Sequence, residues 1–181
     1  VLTEVCAALR NGRRLVLAAP PGAGKTTRVP LALAGLMEQA AAMDGRILLL
    51  EPRRVAARMA AMRMAKSLGE PLGQTIGLTT RVDRKVSATT RIEVITDGLF
   101  TRRILSDPEM TGIGAVIFDE FHERRLNADL GLALALEMQG ALNPDLRILV
   151  MSATLDTARV ADAIHAPVIE SDGRQFEVET R

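Results

Sequence analysis

Short continuous apolar runs alternate along this chain with longer stretches whose apolar residues recur at helical spacing. The runs Leu15–Ala19, Arg46–Leu50, Thr75–Leu78, Ile92–Thr96, Ala115–Phe118 and Ile148–Met151 predict strands, with a further short one at Pro167–Ile169. Between them, Lys25–Ala41, Val55–Leu68, Gly98–Leu105 and Leu130–Leu142 carry the helical period. Strands that are apolar on both faces and separated by helices predict an α/β fold: a mostly parallel sheet with right-handed crossovers and helices on both faces. No internal repeat, low-complexity tract or linker interrupts the pattern. In sheets of this kind ligands gather at the carboxyl ends of the strands. The stretches after Ala19, Leu50, Thr96, Phe118 and Met151 are therefore where chemistry is expected.

The first of these stretches reads Ala19-Pro20-Pro21-Gly22-Ala23-Gly24-Lys25-Thr26. It has the spacing of a phosphate-binding P-loop, with Ala19 where the pattern has its first glycine. Gly22 and Gly24 allow the backbone to curl so that successive N–H groups face an anion, and the following helix adds its positive end. Residues Pro21 to Thr27 are the expected nucleotide cradle. Lys25 is placed to reach the β- and γ-phosphates of ATP, and the Thr26 hydroxyl to ligate Mg²⁺. Read without a ligand, the same residues would be a glycine turn capping a helix.

The strand Ala115–Phe118 ends in Asp119-Glu120. Adjacent carboxylates at the end of an apolar strand are costly unless a cation lies close by. A P-loop Mg²⁺ supplies one. Asp119 is then the magnesium-side carboxylate, and Glu120 orients and deprotonates the attacking water as a second metal-side group. Lys25, Asp119 and Glu120 form the predicted catalytic set. His122 has no nearby Cys or His, which argues against zinc.

Composition narrows the class. The chain has 181 residues and is 48% hydrophobic, which excludes a disordered segment and suits one domain. No apolar run approaches the ~18 residues of a spanning helix, so no membrane partner is expected. The lone cysteine, Cys6, excludes an internal disulfide and fits a reducing, cytoplasmic setting. Net charge is only +1, so no indiscriminate basic surface is expected. With no Trp or Tyr and four Phe, base stacking is a poor model for nucleic-acid binding; contacts to the sugar-phosphate backbone are the better one.

Taken in order, the motifs resemble those of the DEAH-box helicases. Asp119-Glu120-Phe121-His122-Glu123-Arg124 is similar to that family's Asp-Glu-Ala-His-Glu-Arg box. Glu51-Pro52-Arg53-Arg54-Val55-Ala56-Ala57 resembles motif Ia, Thr96-Asp97-Gly98-Leu99-Phe100-Thr101-Arg102 motif Ib, and Ser152-Ala153-Thr154 motif III. Gly77 to Asp83 resembles a further family segment with its aromatic residues replaced. The resemblance implies a RecA-like P-loop domain over residues 1–175, with 176–181 beginning the connection to a second RecA-like domain. It implies that Arg53, Arg54, Thr96 and Arg102 line a groove for single-stranded nucleic acid, RNA before DNA. It places Arg63 against the adenine ring, gives Ser152 and Thr154 the role of coupling nucleotide state to the groove, and sets His122 against the second domain. The family's Gln-x-x-Gly-Arg-x-Gly-Arg run, its source of arginine fingers, is not in this sequence, which also opens without Met. The chain is thus expected to be a piece of a longer helicase, weakly active or inactive alone. A translocase that separates no strands, and a nucleotide-sensing scaffold, would carry the same motor residues.

Overall fold

The computed structural model describes residues 1–20, 23–37, 42–153 and 157–171. One eight-stranded sheet organises them, in the order β4-β3-β5-β2-β6-β7-β1-β8. The strands are β1 (Arg14–Ala18), β2 (Arg46–Glu51), β3 (Ile76–Thr79), β4 (Arg84–Lys85), β5 (Ile92–Thr96), β6 (Ile113–Phe118), β7 (Arg147–Ser152) and β8 (Val168–Glu170). All neighbours pair in parallel except the β3–β4 hairpin, in which Leu78 faces Lys85. The expected mostly parallel sheet is the one observed. β4 carries no apolar signal, being Arg84-Lys85 on an exposed edge, where charge also blunts further pairing.

Alternation along the strands divides the core in two. Leu15, Leu17, Ile47, Leu49, Ile117 and Leu149 face one layer, formed by α1 (Leu2–Asn11), α2 (Lys25–Leu33) and α3 (Arg54–Ser67). Val16, Leu48, Leu50, Val116, Phe118 and Val150 face the other, formed by α4 (Asp97–Ser106), α5 (Leu126–Ala141) and α6 (Thr157–Ile164). Phe118 meets Phe100 of α4 and Phe121 edge-on, with ring centroids at 5.7 and 6.3 Å. No helix among the described residues is long and apolar enough to cross a membrane.

The largest difference from expectation is α2, predicted to reach Ala41 but ending at Leu33. Gly35 adopts φ 68°, and its N–H bonds the Ala32 carbonyl while that of Leu36 bonds Leu31. These two bonds are a glycine-dependent helix stop. The apolar period continues past Gly35 and masks it in sequence. α1 and α6 were not predicted; both are short, at ten and eight residues.

Because β1, β2, β5, β6 and β7 run in the same direction, their carboxyl ends share one sheet edge. The segments after Ala18, Glu51, Thr96, Phe118 and Ser152 all emerge there.

Candidate functional site

The turn after β1 opens into α2 at Gly24, whose φ of 73° lies in the left-handed region that glycine adopts without strain. Pro21 and Gly22 lie outside the described residues. Ala19 is buried, and its N–H donates to the Ser152 carbonyl at 3.0 Å, tying the loop's start to the end of β7. A cleft of about 370 Å³ lies over the start of α2, bounded by Gly24, Lys25, Thr26, Thr27, Glu51 and Glu120 on one side and by Ala56, Met59, Ala60 and Arg63 of α3 on the other. Ala23 lies just behind this turn, against the buried core.

Lys25 is buried, and its Nζ lies 3.1 Å from the Glu120 carboxylate. The Thr26 hydroxyl donates to Asp119 in a very short hydrogen bond. The Thr27 hydroxyl turns back to the Gly24 carbonyl at 3.3 Å. The loop and the acidic strand end, 93 residues apart in sequence, therefore meet through Lys25–Glu120 and Thr26–Asp119.

Asp119 is buried; it also accepts a bond from the Glu120 N–H at 2.8 Å. Burial pushes its carboxyl up, opposed chiefly by the Thr26 hydroxyl. Glu51, at the end of β2, lies beside it. Burial first, and then the charges of Asp119, Glu120 and Asp97 together with a hydrogen bond to Asp119, push Glu51 up to about 9. Desolvation disfavours the charged form, and like charges add to it. Near neutral pH, Glu51 is therefore the protonated partner and donates to Asp119. Asp97 is also pushed up by burial, with Arg125 acting against it. Among the described residues no group of three or more His, Cys, Asp or Glu is spaced to enclose a metal ion.

Glu120 sits at φ 49° and leads into a 3₁₀ turn, Phe121–Glu123. His122 Nε2 lies 3.3 Å from the other Glu120 oxygen, while its Nδ1 accepts the Ala153 N–H at 3.3 Å. A neutral ring protonated on Nε2 satisfies both contacts. His122 thus links Glu120 to the segment after β7, a contact within the domain that the motif alone did not indicate. Ser152 is the buried last residue of β7; Thr154 lies outside the described residues.

The predicted strand-binding residues lie on the same edge. Thr96 caps α4, half-buried. Arg53, Arg54 and Arg102 are exposed. Arg53 is not merely solvated: its guanidinium lies 2.9 Å from Glu123. Arg63 is exposed on α3 at the rim of the cleft. Glu51, Asp97 and Glu123 were not singled out from sequence. The signal for Glu51 was present, since Leu48-Leu49-Leu50-Glu51 repeats the apolar-strand-to-acid pattern of Ile117-Phe118-Asp119.

A family profile described as DEAD/DEAH box helicase matches residues 3–163. The chain is 49% identical to the ATP-dependent RNA helicase HrpB of Escherichia coli (strain K12) over 100% of its own length and 22% of that protein. It is 36% identical to the human ATP-dependent RNA helicase DHX33 over 97% of this chain and 25% of the relative. It is 33% identical to the probable ATP-dependent RNA helicase DHR2 of Saccharomyces cerevisiae over 97% of this chain and 24% of the relative. A crystal structure of Escherichia coli DEAH/RHA helicase HrpB superposes with a TM-score of 0.89, covering 99% of this chain and 22% of that one at 49% identity. The chain spans about a quarter or less of the length of the curated relatives it matches.

Proposed function

This chain belongs to the DEAD/DEAH box helicase family, and from that premise we propose that it is the first RecA-like motor domain of a protein that hydrolyses ATP to move along nucleic acid. It is a helicase domain homologous to proteins named as ATP-dependent RNA helicases. The observation that carries the reading is the convergence of Lys25, Thr26, Asp119 and Glu120 on one cleft at the carboxyl edge.

Each side chain has a role that its surroundings support. Lys25 is a buried ammonium whose present partner is Glu120. The β- and γ-phosphates of ATP offer it a stronger anion, and taking them would free Glu120 to orient and deprotonate a water. The first N–H groups of α2 lack intrahelical acceptors and face the same phosphates. Arg63 lines the same cleft from α3 and would meet the nucleobase.

The donor set fits Mg²⁺. The carboxyl groups of Glu51 and Glu120 both act on the buried Asp119, which is held by the Thr26 hydroxyl and the Glu120 N–H with Lys25 as the cation acting on it. Thr26 and Asp119 would hold the ion, with Glu120 at its margin. When bound, Mg²⁺ would neutralise phosphate charge.

Arg53, Arg54, Thr96 and Arg102 would contact the backbone of a single strand, and RNA is assigned before DNA on the relatives' names. The remaining catalytic arginines would come from a second motor domain, and an arginine finger is worth about 10³–10⁵ in rate. The cytoplasm is assigned on the single free cysteine, Cys6. Titration with a fluorescent ATP analogue tests the centre of this reading. Lys25→Ala should weaken binding at least about tenfold, given that charge-assisted bonds to phosphate are worth ~1.5–3 kcal/mol; equal binding by both proteins would sink it.

A further inference from the structure

The sheet order sets the segments after β5, β2 and β6 side by side, and one ion pair joins two of them. We propose that Glu123 is a positioning residue that holds Arg53 against the acidic turn until a nucleic-acid phosphate displaces it, so that strand binding is relayed to Glu120 and His122 through release of this pair. The proposal rests on the reading of Arg53 as a backbone-phosphate contact.

The geometry of Arg53 is that of a group with two possible partners. Its side chain is 68% exposed and it sits in extended backbone immediately before α3, reachable from solvent. Its guanidinium is 2.9 Å from Glu123 Oε1. Carboxylate and phosphate each offer two oxygens that can accept bidentately from the planar guanidinium fork. Strand phosphate and Glu123 therefore compete for one cation. The Glu123 carboxylate is only 24% exposed, and its second oxygen lies 3.6 Å from Arg125. After Arg53 leaves, Arg125 remains as its partner, so displacement strands no buried charge. Asp97, directly after Thr96, also feels both Arg125 and Glu123. The carboxylate thus stands between both predicted strand-binding segments.

What the pair restrains is the turn that carries the chemistry. Glu120 and Arg124, at φ 49° and 48°, flank Phe121–Glu123, and both are non-glycine residues in the left-handed region. Such conformations persist only where surroundings over-determine them. Phe121 pins the inner side of the turn against Phe118, and the Arg53–Glu123 pair pins its outer side. Glu120 and His122 lie between these two anchors, and His122 reaches on to Ala153. Loss of the outer anchor is felt first by the residues that face Lys25 and the segment after β7.

The test uses the full-length protein carrying this domain. Glu123→Gln keeps size and removes the competing charge. It should bind single-stranded RNA about two- to fivefold more tightly, the range expected for a screened surface pair. The ratio of RNA-stimulated to basal ATPase kcat should fall, because the variant is already released, while the KM for ATP stays within about twofold. Removing any negative charge can tighten RNA binding, so the cycle is completed with Arg53→Gln and the double variant. In the Arg53→Gln background, Glu123→Gln should leave RNA affinity unchanged. Tightening that persists there, or an unchanged stimulation ratio in the single variant, overturns the proposal. If Arg53→Gln itself leaves RNA affinity intact, it is the underlying assignment of Arg53 that fails.

Discussion

Glu51 illustrates how one side chain sets the electrostatics of a cleft. It ends an apolar strand, lies beside the buried Asp119, and is pushed up to about 9, first by burial and then by its carboxylate neighbours. A carboxyl group with an ordinary value of 4.5 when unfolded, and about 9 when folded, binds an extra proton in the native state between those values. Its contribution is complete below about pH 4.5 and is lost as pH rises through the folded value. In metal-free, nucleotide-free solution, stability from this group therefore declines from mildly acidic to mildly alkaline pH. Glu51→Gln mimics the protonated form and removes the dependence. Urea denaturation should show little difference between parent and variant near pH 5, and a variant increasingly more stable towards pH 8, by up to about 1.4 kcal/mol per pH unit. A gap that stays constant across that range would show that Glu51 ionises normally.

At the scale of elements, the molecule separates what a sequence pattern can report from what it cannot. β2, β6 and β7 are legible because burial on both faces demands near-continuous apolar runs, and β5 is legible although the buried Glu93 interrupts it. The P-loop and the Asp119-Glu120 pair are legible because each sits at the end of such a run. The partnership of Thr26 with Asp119 followed from motif logic, and Glu51 carries the same strand-end signal, but the meetings of Glu51 with Asp119, His122 with Ala153 and Arg53 with Glu123 join segments brought together by strand order, which no local spacing encodes. The end of α2 failed for the opposite reason: the stop is local, but the apolar period runs through it. Gly35 carries that stop at φ 68°, and an added Cβ would lie 2.7 Å from the Ala42 Cβ and 2.8 Å from its N. Gly35→Ala should therefore destabilise the domain by about 1–3 kcal/mol, combining left-handed strain with the clash. A denaturation midpoint shift smaller than the roughly 0.5 kcal/mol of an ordinary surface change would remove Gly35 from the account.

Over the whole molecule, charge is nearly balanced, with 23 Lys and Arg against 22 Asp and Glu, and several of the described arginines are paired with acids. Arg46 and Arg103 converge on the buried Glu93, Arg58 on Asp83, and Arg13 on Asp145. A strand would therefore meet a few discrete groups at one sheet edge rather than a basic field. Counterion release converts this into a number: each phosphate contact to a single strand contributes about −0.7 to the slope of log K against log salt. With Arg53, Arg54 and Arg102 as the contacting cations, this domain should bind single-stranded RNA weakly, with a slope of about −2. Arg102→Gln should flatten it by about 0.7 without affecting nucleotide binding in the cleft. A slope steeper than about −5 would require many more phosphate contacts than three arginines provide and would move the strand off this edge. The same balance explains why composition alone gave no sign of nucleic-acid binding: the cations that would make the contacts are outnumbered by those tied into the fold.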